Sequence, residues 1–269
     1  MSELHRLLRP QSVAVIGASA DPTKTTGRPI GYLQRHGFGG AIWPVNPRAA
    51  EIGGLRCFPD VASLPGAPDV AIVLVGPERA EAAVRDLAAR GCAAAIVLAG
   101  GYAESGEEGG ARQASLRTAA GRMRLLGPNT IGLVNLADRI VLSASGALEV
   151  EDLAAGSISL VSQSGGILGA VLSRGAAQGI GFARLVSTGN EADLDVADFL
   201  DLFAEDEATR VIAIYLEGLR RPDAFRAAAL KAAAAGKPVV AYKVGRSEAG
   251  ARAAISHTGA LAGADRLYD

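Results

Sequence analysis

Aromatic side chains and net charge are both scarce in this sequence of 269 residues. Only 4% of the residues are aromatic, and the formal net charge is −1. Nucleic-acid binding usually relies on a basic surface with aromatic rings that stack on bases. This composition therefore predicts no nucleic-acid partner.

Long hydrophobic runs are missing as well. Apolar segments such as DVAIVLVG (69–76) and CAAAIVLAG (92–100) fall well short of the ~20 residues that span a bilayer, and both end in glycine. The N-terminal MSELHRLLRPQS carries charges and a proline where a secretory signal has an apolar core. We therefore expect no membrane partner and a cytoplasmic location.

Cysteine is limited to Cys57 and Cys92, which have no CxxC spacing. This pattern predicts neither a disulfide framework nor a zinc site, and we expect no bound metal. Because free cysteine packs well in protein cores, both thiols are predicted to be buried.

What the sequence does contain is a repeated rhythm of apolar strand, glycine or proline turn, and alanine-rich helix. This alternation predicts a parallel, doubly wound α/β sheet. The rhythm restarts at SISLVSQSGG (157–166), so we predict two α/β domains, residues 1–140 and 150–269. The last segment, from residue 246, ends without completing another strand and helix, so we expect this sequence to be a piece of a longer chain or to lack its last elements.

The first strand-to-helix turn, GASADPTKTTGRP (17–29), lies where open α/β sheets bind nucleotides. It lacks the GxGxxG pattern, which disfavours an NAD site and a dehydrogenase subunit. Ser19, Lys24 and Gly27 could hold phosphates, or the loop could be a simple connection. Three further segments, 45–48, 75–78 and 99–106, lie at the same carboxyl edge of the predicted sheet. Their glycines and prolines either form turns after the strands or contact an extended cofactor that lies across this edge.

The second half places SQSGG (162–166) where a strand becomes a helix. Two hydroxyls, two glycines and the open amides of a helix N-terminus predict an anion site. His257, in ISHTGAL, could accept a phosphoryl group if a carboxylate held its other ring nitrogen, and Glu217, in IYLEG, is the candidate carboxylate. The alternatives are a structural histidine and an ordinary strand-end charge.

Five segments together carry a resemblance to a known family. They are GPNTIG (127–132), SQSGGI (162–167), STGNEADLDVADFL (187–200), YLEG (215–218) and SHTGAL (256–261). In this order and spacing, the sequence resembles the CoA-binding and phosphohistidine half of the NDP-forming acyl-CoA synthetases. The resemblance implies a Rossmann-like CoA-binding domain followed by a flavodoxin-like doubly wound domain.

The resemblance also implies roles for individual residues. His257 would carry the phosphoryl group, Glu217 would orient the histidine, and Asn129 would contact the substrate. The phosphoryl group would be bound by Ser162, Gln163, Ser164, Gly165 and Gly166. CoA would be bound by Gly17, Ser19, Lys24, Gly27, Asn46, Arg48, Val75, Gly100 and Gly101.

The implied reaction interconverts acyl-CoA, ADP and phosphate with a small carboxylic acid, CoA and ATP. ATP or ADP with Mg would bind an ATP-grasp subunit or fused domain, which this sequence does not contain, and the enzyme would be an oligomer. Gly169 stands where the succinyl-type enzyme has a tyrosine, so the acyl pocket would differ. The alternative is a CoA- or acyl-CoA-sensing module of a regulatory protein of the acetyltransferase type.

Overall fold

Residues 3–149 and 153–245 are described in the computed structural model of the chain. Their strands form a first sheet of five strands, a second sheet of six, and a small two-stranded hairpin. The predicted mixed α/β architecture, with a Rossmann-like half followed by a flavodoxin-like half, is confirmed.

All strands of the first sheet run parallel, in the order β2-β1-β5-β6-β7. The strands are β1 (Ser12–Ile16), β2 (Ala41–Val45), β5 (Val70–Val73), β6 (Ala94–Val97) and β7 (Arg124–Leu126), and the hairpin is β3 (Glu51–Ile52) and β4 (Leu55–Arg56). The helices are α1 (Glu3–Leu8), α2 (Arg28–Arg35), α3 (Pro77–Ala89) and α4 (Glu107–Ala120). Because the order reverses at β1, the loops after β1 and β5 diverge and leave a crevice at the carboxyl edge.

The second sheet has the order β13-β12-β10-β11-β8-β9. Its parallel strands are β10 (Ala155–Ser162), β11 (Phe182–Ser187), β12 (Val211–Leu216) and β13 (Val239–Lys243), and its antiparallel edge is β8 (Gly132–Asn135) and β9 (Ile140–Ser143). The helices are α5 (Gly165–Ala177), α6 (Val196–Glu205) and α7 (Pro222–Ala234).

Strand pairing changes from the first sheet to the second between Leu126 and Gly132. The division into residues 1–140 and 150–269 stays a prediction, but β8 lies N-terminal to that division and pairs with β11. One hydrophobic cluster contains residues of both sheets, among them Ile72, Leu133 and Val186. The two halves therefore share a continuous core.

A buried arginine lies beside this shared core. The Arg184 side chain is 1% exposed, and its guanidinium contacts Asp206 at 2.8 Å and Asp138 at 3.1 Å. Arg9 of the first half also pairs with Asp138, at 2.8 Å. Burial alone would raise the pKa of Asp206, but the hydrogen bonds from Arg184 and Thr209 hold it below its ordinary value. This network therefore links the first half to the second through fixed charges.

Both cysteines lie in the first half, and both are buried and unpaired, which confirms the sequence prediction. Burial raises the pKa of the Cys92 thiol to about 12 and also raises the pKa of Cys57. The Cys57 thiol contacts the carbonyl oxygen of Asn46 at 3.6 Å. Packing in the core therefore accounts for the presence of both cysteines.

Candidate functional site

Gly17 allows three loops to meet at the carboxyl edge of the first sheet. Its φ of +80° is in the left-handed region, and a Cβ atom there would lie 2.7 Å from the Val75 side chain. Its N–H donates to the carbonyl of Val45 at 2.9 Å. Only glycine fits this close approach without strain, so the loops after β1, β2 and β5 form one surface.

These loops surround a cleft of about 460 Å³. Six residues predicted to bind CoA line it: Gly17, Ser19, Lys24, Asn46, Arg48 and Val75. Arg79, on the first turn of α3, also lines the cleft, and sequence reasoning did not identify it. The three cationic side chains around this open cleft suit a ligand with several phosphates. Asp60 and Asp86 also line the cleft and add negative charge to it.

Asn46 and Gly27 shape the cleft through the backbone. The Asn46 amide donates to the carbonyl of Ala18 at 2.8 Å and accepts from the N–H of Arg48 at 2.9 Å. Gly27 is not among the residues that line the cleft. It closes the loop by donating to the carbonyl of Lys24, and a Cβ atom there would lie 2.0 Å from the carbonyl oxygen of Asp21. A direct contact of Gly27 with CoA stays a prediction.

Gly100 and Gly101 lie at the junction between the two halves and do not line the cleft. The N–H of Gly101 donates to Glu104 at 2.6 Å, and the other Glu104 oxygen accepts from the amide of Asn190. Asn129 donates to the same Asn190 side chain at 3.2 Å. The structure therefore groups these two glycines with the predicted substrate residue Asn129.

The anion turn, residues 162–166, joins β10 to α5. Ser164 caps the helix by accepting from the N–H of Ile167, at 3.4 Å. Ser162 is completely buried, and its hydroxyl donates to the carbonyl of Ser164 at 2.7 Å. Both hydroxyls thus make hydrogen bonds within the turn, where the sequence suggested that they would face an anion. Among the residues that the structure describes, none accepts a hydrogen bond from the N–H of Gly165 or Gly166.

Gln163 connects the anion turn to Glu217. Its side-chain oxygen accepts from the N–H of Glu217 at 2.6 Å and of Gly218 at 3.0 Å. Its amide nitrogen donates to the carbonyl of Gly218 at 2.8 Å. Glu217, which is 8% exposed, follows β12, the parallel neighbour of β10, so the two strand ends lie side by side. His257 lies outside the described residues, and its role stays a prediction.

Glu191 is a buried carboxyl group that sequence reasoning did not identify. It is 4% exposed, and one carboxylate oxygen accepts from the Thr188 hydroxyl at 2.9 Å and from the N–H of Val196 at 3.1 Å. Burial raises its pKa to about 7. The hydrogen bonds from Thr188 and Val196 oppose the rise, whereas the charge of Asp195 adds to it. The segment STGNEADLD contributed to the family resemblance, but nothing in its spacing distinguished Glu191.

Stability should depend on pH through Glu191. The folded-state pKa of about 7 exceeds the ordinary value of 4.5. The native state therefore binds the proton more tightly, and this stabilisation is complete below the unfolded pKa and lost as pH rises through the folded pKa. Relative to Glu191→Gln, the wild-type free energy of unfolding should fall by about 2.5 kcal/mol between about pH 5 and about pH 8. Urea unfolding at both pH values checks this, and a difference that does not change with pH would contradict it.

Within residues 3–149 and 153–245, no helix is long and apolar enough to cross a membrane. The same residues contain no group of three or more histidine, cysteine, aspartate or glutamate side chains that could hold a metal ion.

Two family models match most of the chain between them. Residues 11–135 match a CoA-binding domain, and residues 155–269 match a succinyl-CoA ligase-like flavodoxin domain. The second match includes Glu217 and His257, and the first includes the cleft.

Two curated relatives illustrate the range of named activities. A trans-feruloyl-CoA synthase from an unknown prokaryotic organism is 39% identical over 97% of this chain and 37% of its own length. Subunit alpha of the ADP-forming acetate–CoA ligase II of Pyrococcus furiosus is 34% identical over 99% of this chain and 57% of its own length. The chain therefore spans between about a third and three fifths of these relatives.

A solved structure shares both halves of the fold. The dinucleotide-forming acetyl-coenzyme A synthetase 1 of Ca. Korarchaeum cryptofilum, in complex with phosphate and ADP, gives a TM-score of 0.93 at 37% identity. The match covers 100% of this chain and 57% of that chain.

Proposed function

Because the chain belongs to the NDP-forming acyl-CoA synthetases, we propose that it is the CoA-binding and ligase half of such an enzyme. The proposed enzyme interconverts acyl-CoA, ADP and phosphate with a free carboxylic acid, CoA and ATP. The bridge that Gln163 makes between the anion turn and Glu217 carries the proposal. Through this bridge, the N-terminus of α5 lies one side chain away from Glu217. A helix N-terminus suits a phosphoryl group, and a carboxylate suits a positively charged imidazolium.

The first proposed step makes an acyl phosphate. An oxygen of inorganic phosphate attacks the thioester carbonyl carbon of acyl-CoA, the carbon–sulfur bond breaks, and CoA leaves as its thiol after taking up the phosphate proton. The N–H groups of Gly165 and Gly166, at the positive end of the α5 dipole, would hold the phosphate oxygens.

The second proposed step transfers the phosphoryl group to the protein. The unprotonated ring nitrogen of neutral His257 attacks phosphorus, the bond between phosphorus and the acyl oxygen breaks, and the carboxylate leaves. The proton on the other ring nitrogen stays in place, where the Glu217 carboxylate would hold it and stabilise the positive ring. The phosphohistidine then passes its phosphoryl group to ADP.

The residues of the cleft fit CoA. Lys24, Arg48 and Arg79 would bind its phosphates, and Gly17 leaves the backbone accessible at the edge of the sheet. Asn129 would contact the acyl group, because it lies at the junction of the two halves, where its N–H donates to the carbonyl of Ala99 and its side chain donates to Asn190.

The remaining parts of the proposed reaction need a partner. We propose that an ATP-grasp subunit or fused domain binds ADP or ATP with Mg, that the complete enzyme is an oligomer, and that it acts in the cytoplasm. The relatives' names, which include ligases for acetate and 4-hydroxybutyrate, support a carboxylic acid as the class of substrate.

CoA should bind this chain, and NAD should not, because the first turn is long and cationic and lacks the dinucleotide glycines. Lys24→Ala should weaken CoA binding about tenfold, since a charged hydrogen bond to phosphate contributes about 1.5–3 kcal/mol, part of which water screens at this exposed side chain. Isothermal titration calorimetry with both ligands measures this.

Lys231→Ala is the matched control, because Lys231 pairs with Asp201 on α6, away from the cleft. Tight NAD binding without CoA binding would contradict the assignment of the cleft. CoA binding without phosphoryl transfer would instead favour the sensing module.

A further inference from the structure

We infer that Glu104 is a positioning residue for the acyl group, because its carboxylate fixes the Asn190 amide and, through it, the direction in which Asn129 faces. This inference rests on the proposed function, in which Asn129 contacts the acyl group. It adds a residue that acts through two asparagines and not on the substrate itself.

The Glu104 carboxylate accepts hydrogen bonds with both of its oxygens. One oxygen accepts from the N–H of Gly101 at 2.6 Å and of Tyr102 at 3.3 Å. The other accepts from the side-chain amide of Asn190. Burial alone would raise the pKa of Glu104, but these hydrogen bonds hold it below its ordinary value. The group is therefore ionised at neutral pH and acts only as an acceptor.

The side-chain amide of Asn190 has one orientation that satisfies its neighbours. Its nitrogen donates to Glu104 and also to Oε1 of the buried Gln113, at 3.0 Å. Because both partners are acceptors, the nitrogen must face them and the oxygen must face away. That oxygen accepts from the side-chain amide of Asn129 at 3.2 Å. The carboxylate at position 104 thus decides which atom of Asn190 meets Asn129.

Asn129 is exposed at the junction of the two halves, and its backbone N–H donates to the carbonyl of Ala99 at 2.9 Å. Its side-chain nitrogen faces Asn190, so Oδ1 is the other atom of the amide that a substrate can meet. A Cβ atom on Gly100 would lie only 3.4 Å from this oxygen. Among the described residues, none donates to Oδ1, which is therefore the acceptor that Asn129 offers at the junction.

The backbone around these asparagines is held without Glu104. The N–H of Asn190 donates to the carbonyl of Pro128 at 2.9 Å, and the N–H of Ala192 donates to the carbonyl of Gly127 at 2.9 Å. Gly189 packs against the same turn, where a Cβ atom would lie 2.4 Å from the carbonyl oxygen of Pro128. A change at Glu104 should therefore turn the side-chain amides and leave the two loops in contact.

The test is the substitution Glu104→Gln in the complete protein with its nucleotide-binding part. The new side chain keeps the shape but brings an N–H group among donors, which Asn190 relieves by turning over, and Asn129 then turns as well and withdraws Oδ1. Labelling by ³²P-labelled acetyl phosphate should slow about tenfold, as for one lost hydrogen bond. Labelling by ³²P-labelled ATP, which involves no acyl group, should be unchanged.

An exchange of acid and amide between the two positions restores the order of donors and acceptors. In the double variant Glu104→Gln with Asn190→Asp, the new amide donates to one oxygen of the new carboxylate, and the other oxygen accepts from Asn129. Its labelling by acetyl phosphate should return to within about threefold of the wild-type rate. Asn190→Asp alone brings two carboxylates into contact and should slow this labelling about tenfold.

Glu81→Gln is the matched control, because this carboxylate on α3 accepts from Ser115 and should change neither labelling rate. Equal slowing of both labels by Glu104→Gln, or a double variant no faster than either single one, overturns the inference alone. If the wild-type protein accepts label from neither ATP nor acetyl phosphate, the proposed function fails, and the inference fails with it.

Discussion

His257→Ala should abolish phosphorylation of this chain. The imidazole is the proposed nucleophile, and alanine offers no group that can accept a phosphoryl group. With labelled ATP or acetyl phosphate, the complete wild-type protein should gain label that is labile in acid and stable in base, and the variant should gain none. Overall formation of acyl-CoA should be lost as well.

Glu217→Gln should also phosphorylate poorly, although it keeps the shape of the side chain. The amide cannot stabilise the positive ring that forms during transfer. CoA affinity should be nearly unchanged in both variants, because the CoA cleft lies in the first half. Wild-type rates of acyl-CoA formation in His257→Ala would remove the histidine from the mechanism and favour the sensing module.

Arg184→Ala should reduce the free energy of unfolding by about 3–5 kcal/mol. The substitution removes the close cationic partner of the buried Asp206, which keeps the more distant guanidinium of Arg9 at 3.8 Å, and Asp138 loses one of its two arginines. Urea unfolding followed by circular dichroism measures the loss. Because these contacts join both halves, the denaturation midpoints of the two halves should fall together.

Arg85→Ala is the matched control for Arg184→Ala. Arg85 pairs with Glu81 four residues earlier on the exposed side of α3, and its side chain is 60% exposed. Such pairs contribute about 0–1 kcal/mol. If Arg184→Ala cost no more than Arg85→Ala, the buried network would not stabilise the junction.

The sequence predicted best those site residues whose role depends on local chain geometry. Gly17 and the anion turn follow apolar strands directly, so periodicity alone assigns them to the carboxyl edges of the sheets. Gln163 and Glu217 lie at the ends of β10 and β12, and the parallel pairing of these two strands accounts for their contact.

Residues that depend on distant contacts could not be read from the sequence. The carbonyl of Glu191 accepts from Arg220, 29 positions later, and Arg184 meets Asp206 across a turn and a helix. Sequence periodicity reports which face of a strand is buried, but it does not report which buried polar group is satisfied by which partner. The antiparallel edge formed by β8 and β9 was missed for the same reason, since its pairing with β11 is set by tertiary packing.

The placement of both thiols gives the molecule a built-in chemical reporter. Alkylating reagents react with thiolate. With its pKa near 12, Cys92 presents almost none of it at neutral pH in the folded chain, and burial also raises the pKa of Cys57. Modification would therefore proceed only as fast as the first half opens, and each event would add a countable mass. Cys57 and Cys92 both belong to that half. If their modification stays slow under conditions that denature part of the chain, the flavodoxin-like half has unfolded first.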